Sequence, residues 1–69
     1  MTKQEALDEA KKIANTNQMV MAVVKDPMSD EFEDDPDKCW NYCPNIARNK
    51  DGKLLLFPYP EEVILVNPD

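Results

Sequence analysis

Two cysteines at a three-residue separation, Cys39-Trp40-Asn41-Tyr42-Cys43, are the closest the chain comes to a reactive motif. The spacing is not that of a thioredoxin-like redox pair. In an extended segment the two α-carbons stand about 13 Å apart, beyond disulfide reach. Two thiols also supply only half of a four-cysteine zinc site. They are expected to be reduced, metal-free and buried as small hydrophobes.

Other chemistries fail for want of residues. The chain has no histidine, which removes the commonest general base and the Ser-His and Cys-His pairs. Its one serine, Ser29, sits among carboxylates that disfavour an alkoxide. Its one glycine, Gly52, cannot form a Gly-rich phosphate loop. A catalytic role is not expected, nor is a cofactor.

Charge is the unusual feature. The net charge is −6, and residues 26–37 carry seven carboxylates, Asp26, Asp30, Glu31, Glu33, Asp34, Asp35 and Asp37, with no cation. The rest of the chain holds all eight Lys and Arg against the other seven acids, so this segment accounts for the whole imbalance. An EF-hand loop needs glycine at its sixth position and glutamate at its twelfth, and no starting aspartate here satisfies both. Negative charge argues against direct contact with nucleic acid or anionic membrane. Met28 and Phe32 lie among the carboxylates, which a merely solvating loop would not require.

The elements that position these residues follow from pattern. At 69 residues the chain is one small domain, 1–69. Thr2 and Glu5 match a capping box, and Ala6, Leu7, Ala10, Ile13 and Ala14 recur on one helical stripe. Helix is therefore expected over the first sixteen residues. The charged start has no apolar core of a signal peptide, and a cytoplasmic setting is expected. Gln18–Lys25 reads as a strand apolar on both faces. Lys53–Phe57 and Val63–Val66 read as a hairpin turned at Pro58–Glu61, with a second turn at Asn49–Gly52 after a short strand at Asn45–Arg48. Between them, Asp26-Pro27 and Asp35-Pro36 are helix-start signals. The region from Cys39 to Cys43 is read as extended, with Trp40 and Tyr42 on one face.

The fold class is thus α+β, an N-terminal helix packed on a three- to four-stranded antiparallel sheet. One helix covers one face of such a sheet. The other face requires segment 27–47 folded back with Met28, Phe32, Trp40 and Ile46, a second copy of the chain, or another protein.

Function is expected to be protein–protein contact. The contact residues would be Met28, Asp30, Glu31, Phe32, Glu33, Asp34, Asp35, Asp37, Trp40 and Tyr42, facing a partner with a basic surface. One alternative is a mimic of nucleic-acid charge that inhibits a host or defence protein, by analogy of size and charge with small acidic phage proteins. A structural homodimer is the other.

Overall fold

The computed structural model describes residues 1–29 and 34–69. Helix α1 spans Lys3–Asn17, and three strands follow, β1 (Met21–Lys25), β2 (Trp40–Pro44) and β3 (Glu62–Val66), with a 3-10 turn at Pro36–Lys38. The sheet order is β2-β1-β3, and both neighbours run antiparallel to β1. The architecture is α+β, one helix on a three-stranded antiparallel sheet.

The helix starts where its capping box predicts. The Glu5 amide donates to Thr2 Oγ1 at 3.2 Å, and the Thr2 amide donates to Glu5 Oε1 at 2.9 Å. These two bonds satisfy amides that have no partner within the helix. They also hold the Glu5 carboxyl below its ordinary range, chiefly through the Thr2 amide. At the other end Gln18 closes the helix in the left-handed region, φ 51°, with its amide bonded to the Ala14 carbonyl. A side chain there is disfavoured by roughly 1 kcal/mol relative to glycine.

Ala6, Ala10 and Ala14 are fully buried and form the stripe that lies on the sheet. Their small side chains let the helix backbone sit close to β1 and β2. Met21, Val23 and Trp40 fill the space beneath, and Leu7, Ile13, Met19, Tyr42, Ile64 and Val66 close its margins. Alternation along β1 sends Ala22 and Val24 to the opposite, distal face. There they pack with Cys43, Leu54 and Phe57.

The distal cover departs from the sequence expectation. Lys53–Phe57 is not a strand, and Leu54 makes only an isolated bridge with Arg48, all that forms of the expected strand at Asn45–Arg48. The reason is that β1 has two edges, and β2 and β3 occupy both. β3 therefore pairs with β1 and not in a hairpin with the preceding segment. β2 and β3 are parallel to each other with β1 between them, so the chain must cross the sheet to connect them. Residues 45–61 make that crossover over the distal face, pressing Leu54 and Phe57 onto it. Of the residues in segment 27–47 expected to give this cover, Met28 and Ile46 are exposed, Trp40 lies under the helix, and Phe32 lies outside the described residues.

The termini tie down the remaining groups. The Trp40 amide donates to the Met1 carbonyl at 3.1 Å, and the Met1 ammonium donates to the Lys38 carbonyl at 2.8 Å, so the first residue lies on the outer edge of β2. At the C-terminal end Lys11 Nζ meets Asp69 Oδ1 at 2.7 Å and donates to the Asn67 carbonyl at 2.7 Å. The Asp69 amide donates to Asn15 Oδ1 at 2.8 Å. The Lys11 and Asn15 contacts hold the Asp69 carboxyl below its ordinary range.

Two substitutions test this packing by urea denaturation. Ala10→Leu, which improves the apolar stripe on paper, is expected to destabilise the domain by about 1–3 kcal/mol because no space exists for it. Gln18→Gly is expected to stabilise it by about 0.5–1 kcal/mol by relieving the left-handed cap.

Candidate interaction surface

The acidic connection leaves β1 at Lys25 and enters β2 at Trp40, and its two ends are joined by the Asp26 amide donating to the Cys39 carbonyl at 3.0 Å. Two of its carboxylates serve the backbone. Asp26 Oδ1 accepts the Met28 amide at 3.0 Å, and Asp35 Oδ1 accepts the Asp37 amide at 3.1 Å to cap the 3-10 turn. The Asp35 carbonyl also accepts the Lys38 amide at 2.9 Å. Asp35-Pro36 thus starts a short 3-10 turn, as its helix-start signal suggests, whereas Asp26-Pro27 leads into a turn and not into the expected helix among the described residues. Asp34 and Asp37 are exposed, and Met28 is 78% exposed. Asp30, Glu31, Phe32 and Glu33 lie outside the described residues.

The aromatic candidates separate. Trp40 is 6% exposed and belongs to the core beneath α1, with the Lys3 ammonium 5.4 Å above its ring. Its expected place on a contact surface therefore meets a side chain that is almost wholly buried. Tyr42, on the same face as expected, is half-buried against that core. Tyr59 stands 68% exposed, with the Lys53 ammonium 4.8 Å from its ring.

The residues that sequence reasoning missed lie on the crossover. Leu54 and Phe57 turn inward, leaving Leu55 61% and Leu56 66% exposed. The segment is held in this shape by a small polar framework. Arg48 donates through Nη2 to Asn45 Oδ1 at 2.6 Å and through Nη1 to the Gly52 carbonyl at 2.6 Å. Asn49 Oδ1 accepts the amides of Asp51 at 2.9 Å and Lys53 at 3.0 Å. Gly52 takes φ 81°, the left-handed geometry that the Asp-Gly pair tolerates. The Leu55 amide donates to the Ala47 carbonyl at 2.8 Å, fixing the start of the apolar run. The available signal was Pro58 and Pro60, which interrupt the run and cannot donate to a ladder.

The thiols sit apart from this surface. Cys39 and Cys43 are both free and buried. The Cys39 thiol donates to the Pro36 carbonyl at 2.8 Å, linking β2 to the 3-10 turn. Cys43 packs on the distal face, where burial pushes its pKa above the ordinary value and the Arg48 charge opposes the shift. Among the described residues no three His, Cys, Asp or Glu side chains are grouped as a metal ion requires, and no helix is long and apolar enough to cross a membrane.

The Cys43 environment sets a pH dependence. The folded thiol ionises at higher pH than the unfolded one, so its contribution to stability is complete below the ordinary thiol value of 9.0 and is lost as pH rises above it. Urea midpoints for the wild type are expected to fall between neutral pH and pH values above that point more than for Cys43→Ala, and equal slopes would contradict this assignment.

No protein-family model, curated protein or solved structure matches this chain.

Proposed function

We propose that the protein is a small non-enzymatic binding protein that acts by protein–protein contact through the distal crossover, with the acidic connection steering the encounter. The observation that carries this reading is the outward presentation of Leu55, Leu56 and Tyr59 on a segment whose Leu54 is buried and whose Phe57 is half-buried against the sheet. Long irregular connections in small domains are usually functional, and this one is held by Arg48 and Asn49. Apolar and aromatic side chains held in place before binding lose little entropy on contact. Each exposed leucine that a partner covers contributes at about 25 cal/mol per Å² of apolar area.

The partner is inferred to carry a basic surface. The seven carboxylates of 26–37 oppose no cation within that segment, and Asp34 and Asp37 stand in solvent. At physiological ionic strength their field extends about 8 Å, enough to orient an approaching basic protein. The two free thiols suit a reducing compartment such as the cytoplasm.

Capture from native cell lysate separates this reading from a charge mimic. The double variant Leu55→Glu/Leu56→Glu is expected to lose the captured protein while keeping its fold by circular dichroism. Asp34→Asn/Asp37→Asn is expected to retain it, with a slower association that depends less on salt. A charge mimic gives the reverse pattern. Capture unchanged in both variants would overturn contact through either surface.

A further inference from the structure

The outer edge of β3 raises a separate question from the crossover surface. On β1, the bonds from the Asp26 amide to the Cys39 carbonyl and from the Asn45 amide to the Val20 carbonyl show that the even-numbered positions face β2. The odd-numbered positions therefore face β3, with Met21 opposite Val66 and Val23 opposite Ile64. It follows that Ile64 and Val66 direct their main-chain groups toward β1, whereas Val63 and Leu65 direct theirs outward. Among the described residues no strand pairs with that outer edge. The edge of β2, by contrast, is occupied at Trp40 by Met1.

Natural sheets protect free edges with lysine, proline or a bulge within the strand. The strand Glu62-Val63-Ile64-Leu65-Val66 contains no lysine and no proline. Its side chains Val63 and Leu65, on the distal face, remain 41% and 51% exposed. Pro60 and Pro68 bound the strand on both sides and limit any added pairing to the residues between them.

We propose that this edge pairs antiparallel with the same edge of a second copy, centred on Ile64, joining two three-stranded sheets into one of six strands. The strand is self-complementary about that centre. Val63 lies opposite Leu65 of the second copy and Leu65 opposite Val63, the outward main-chain groups of both residues exchange four hydrogen bonds, and the half-exposed side chains meet on the distal face. Glu62, the strand's one charged residue, falls opposite Val66 and not opposite its own copy.

Charge placement permits the assembly despite −6 on each chain. The acidic connection joins β1 to β2, on the side of the sheet away from β3, and the two-fold axis sends the two connections to opposite ends. At about 4.8 Å between strands and about 3.3 Å per residue, the ends of the two connections at β1 and β2 stand more than about 20 Å apart, over twice the Debye length of about 8 Å. The contact is one strand wide, well below the roughly 800 Å² per partner of a stable interface. A weak dimer, dissociating in the micromolar to millimolar range, is therefore the expected state. Two crossovers would then lie side by side on one continuous distal face.

Sedimentation equilibrium of the full chain from micromolar to millimolar concentration tests the pairing. The wild type is expected to rise from one to two chain masses, and Val63→Lys to remain at one throughout. Leu56→Glu, which changes the crossover and not the edge, is expected to dimerise as the wild type does. Amide exchange provides the readout should Val63→Lys not fold: in the wild type, Val63 and Leu65 gain protection as concentration rises. A wild type monomeric at millimolar concentration, a dimer surviving Val63→Lys, or edge amides exchanging equally fast in monomer and dimer would each overturn the proposal. None of these results alters the capture experiment, which reads the crossover surface independently.

Discussion

A strand of five residues, Met21–Lys25, is required to satisfy four neighbours at once, and the rest of the fold is arranged to supply them. Met21, Ala22, Val23 and Val24 are all buried, so β1 needs pairing along both edges and cover on both faces. The edges are filled by β2 and β3, which fixes their common direction antiparallel to β1. The helix covers one face with its alanine stripe, and the crossover covers the other with Leu54 and Phe57. Each fully buried Val contributes roughly 1.5–3 kcal/mol when removed from water, a large share of the stability a domain this size can have. An apolar strand of this kind usually occurs in larger α/β proteins with helices on both sides. Here a segment without regular structure takes the place of the second helix.

Local features were legible in the sequence, and long-range pairing was not. The capping box at Thr2 and Glu5, the alanine stripe, the 3-10 turn begun at Asp35 and the Asn49–Gly52 turn all depend on residues a few positions apart. The extended reading of Cys39–Cys43, with Trp40 and Tyr42 on one face, rested on short-range alternation and corresponds to β2. The hairpin assigned to Lys53–Val66 failed because local pattern does not say which apolar run will claim the free edge of β1. Val63–Val66 is β-branched in part and uninterrupted, whereas Leu54–Phe57 runs into Pro58 and Pro60. The first became the strand and the second its cover. The exposed residues Leu55 and Leu56 were invisible for the same reason, since a strand reading sends one of each pair inward.

Electrostatics contributes placement more than cohesion. The ion pairs Lys12–Glu9 at 3.3 Å, Lys25–Glu61 at 3.8 Å and Lys38–Asp35 at 4.0 Å involve largely exposed groups, and pairs of that kind contribute about 0–1 kcal/mol each. The Lys11–Asp69 contact differs in that the same ammonium also binds the Asn67 carbonyl and Asn15 binds Asp69 from both sides, so one small network anchors the segment after β3 to the helix. The net negative charge of the sequence is concentrated in the one connection between β1 and β2.

The crossover also orders the assembly of the chain in time. Helix α1, β1 and β2 come from the first 44 positions, with three residues joining α1 to β1 and fourteen joining β1 to β2. β3 reaches β1 only after residues 45–61 have spanned the sheet, and its partners in the register, such as Val23 and Ile64, are far apart in sequence. The entropy of closing that separation must be met before the β1–β3 contacts repay it, so this pairing is the most non-local in the sheet. Until then the distal side chains Ala22 and Val24 face water and one edge of β1 lies open. The same segment that shields the finished sheet thus governs how long the unfinished one is vulnerable to pairing with a neighbouring chain.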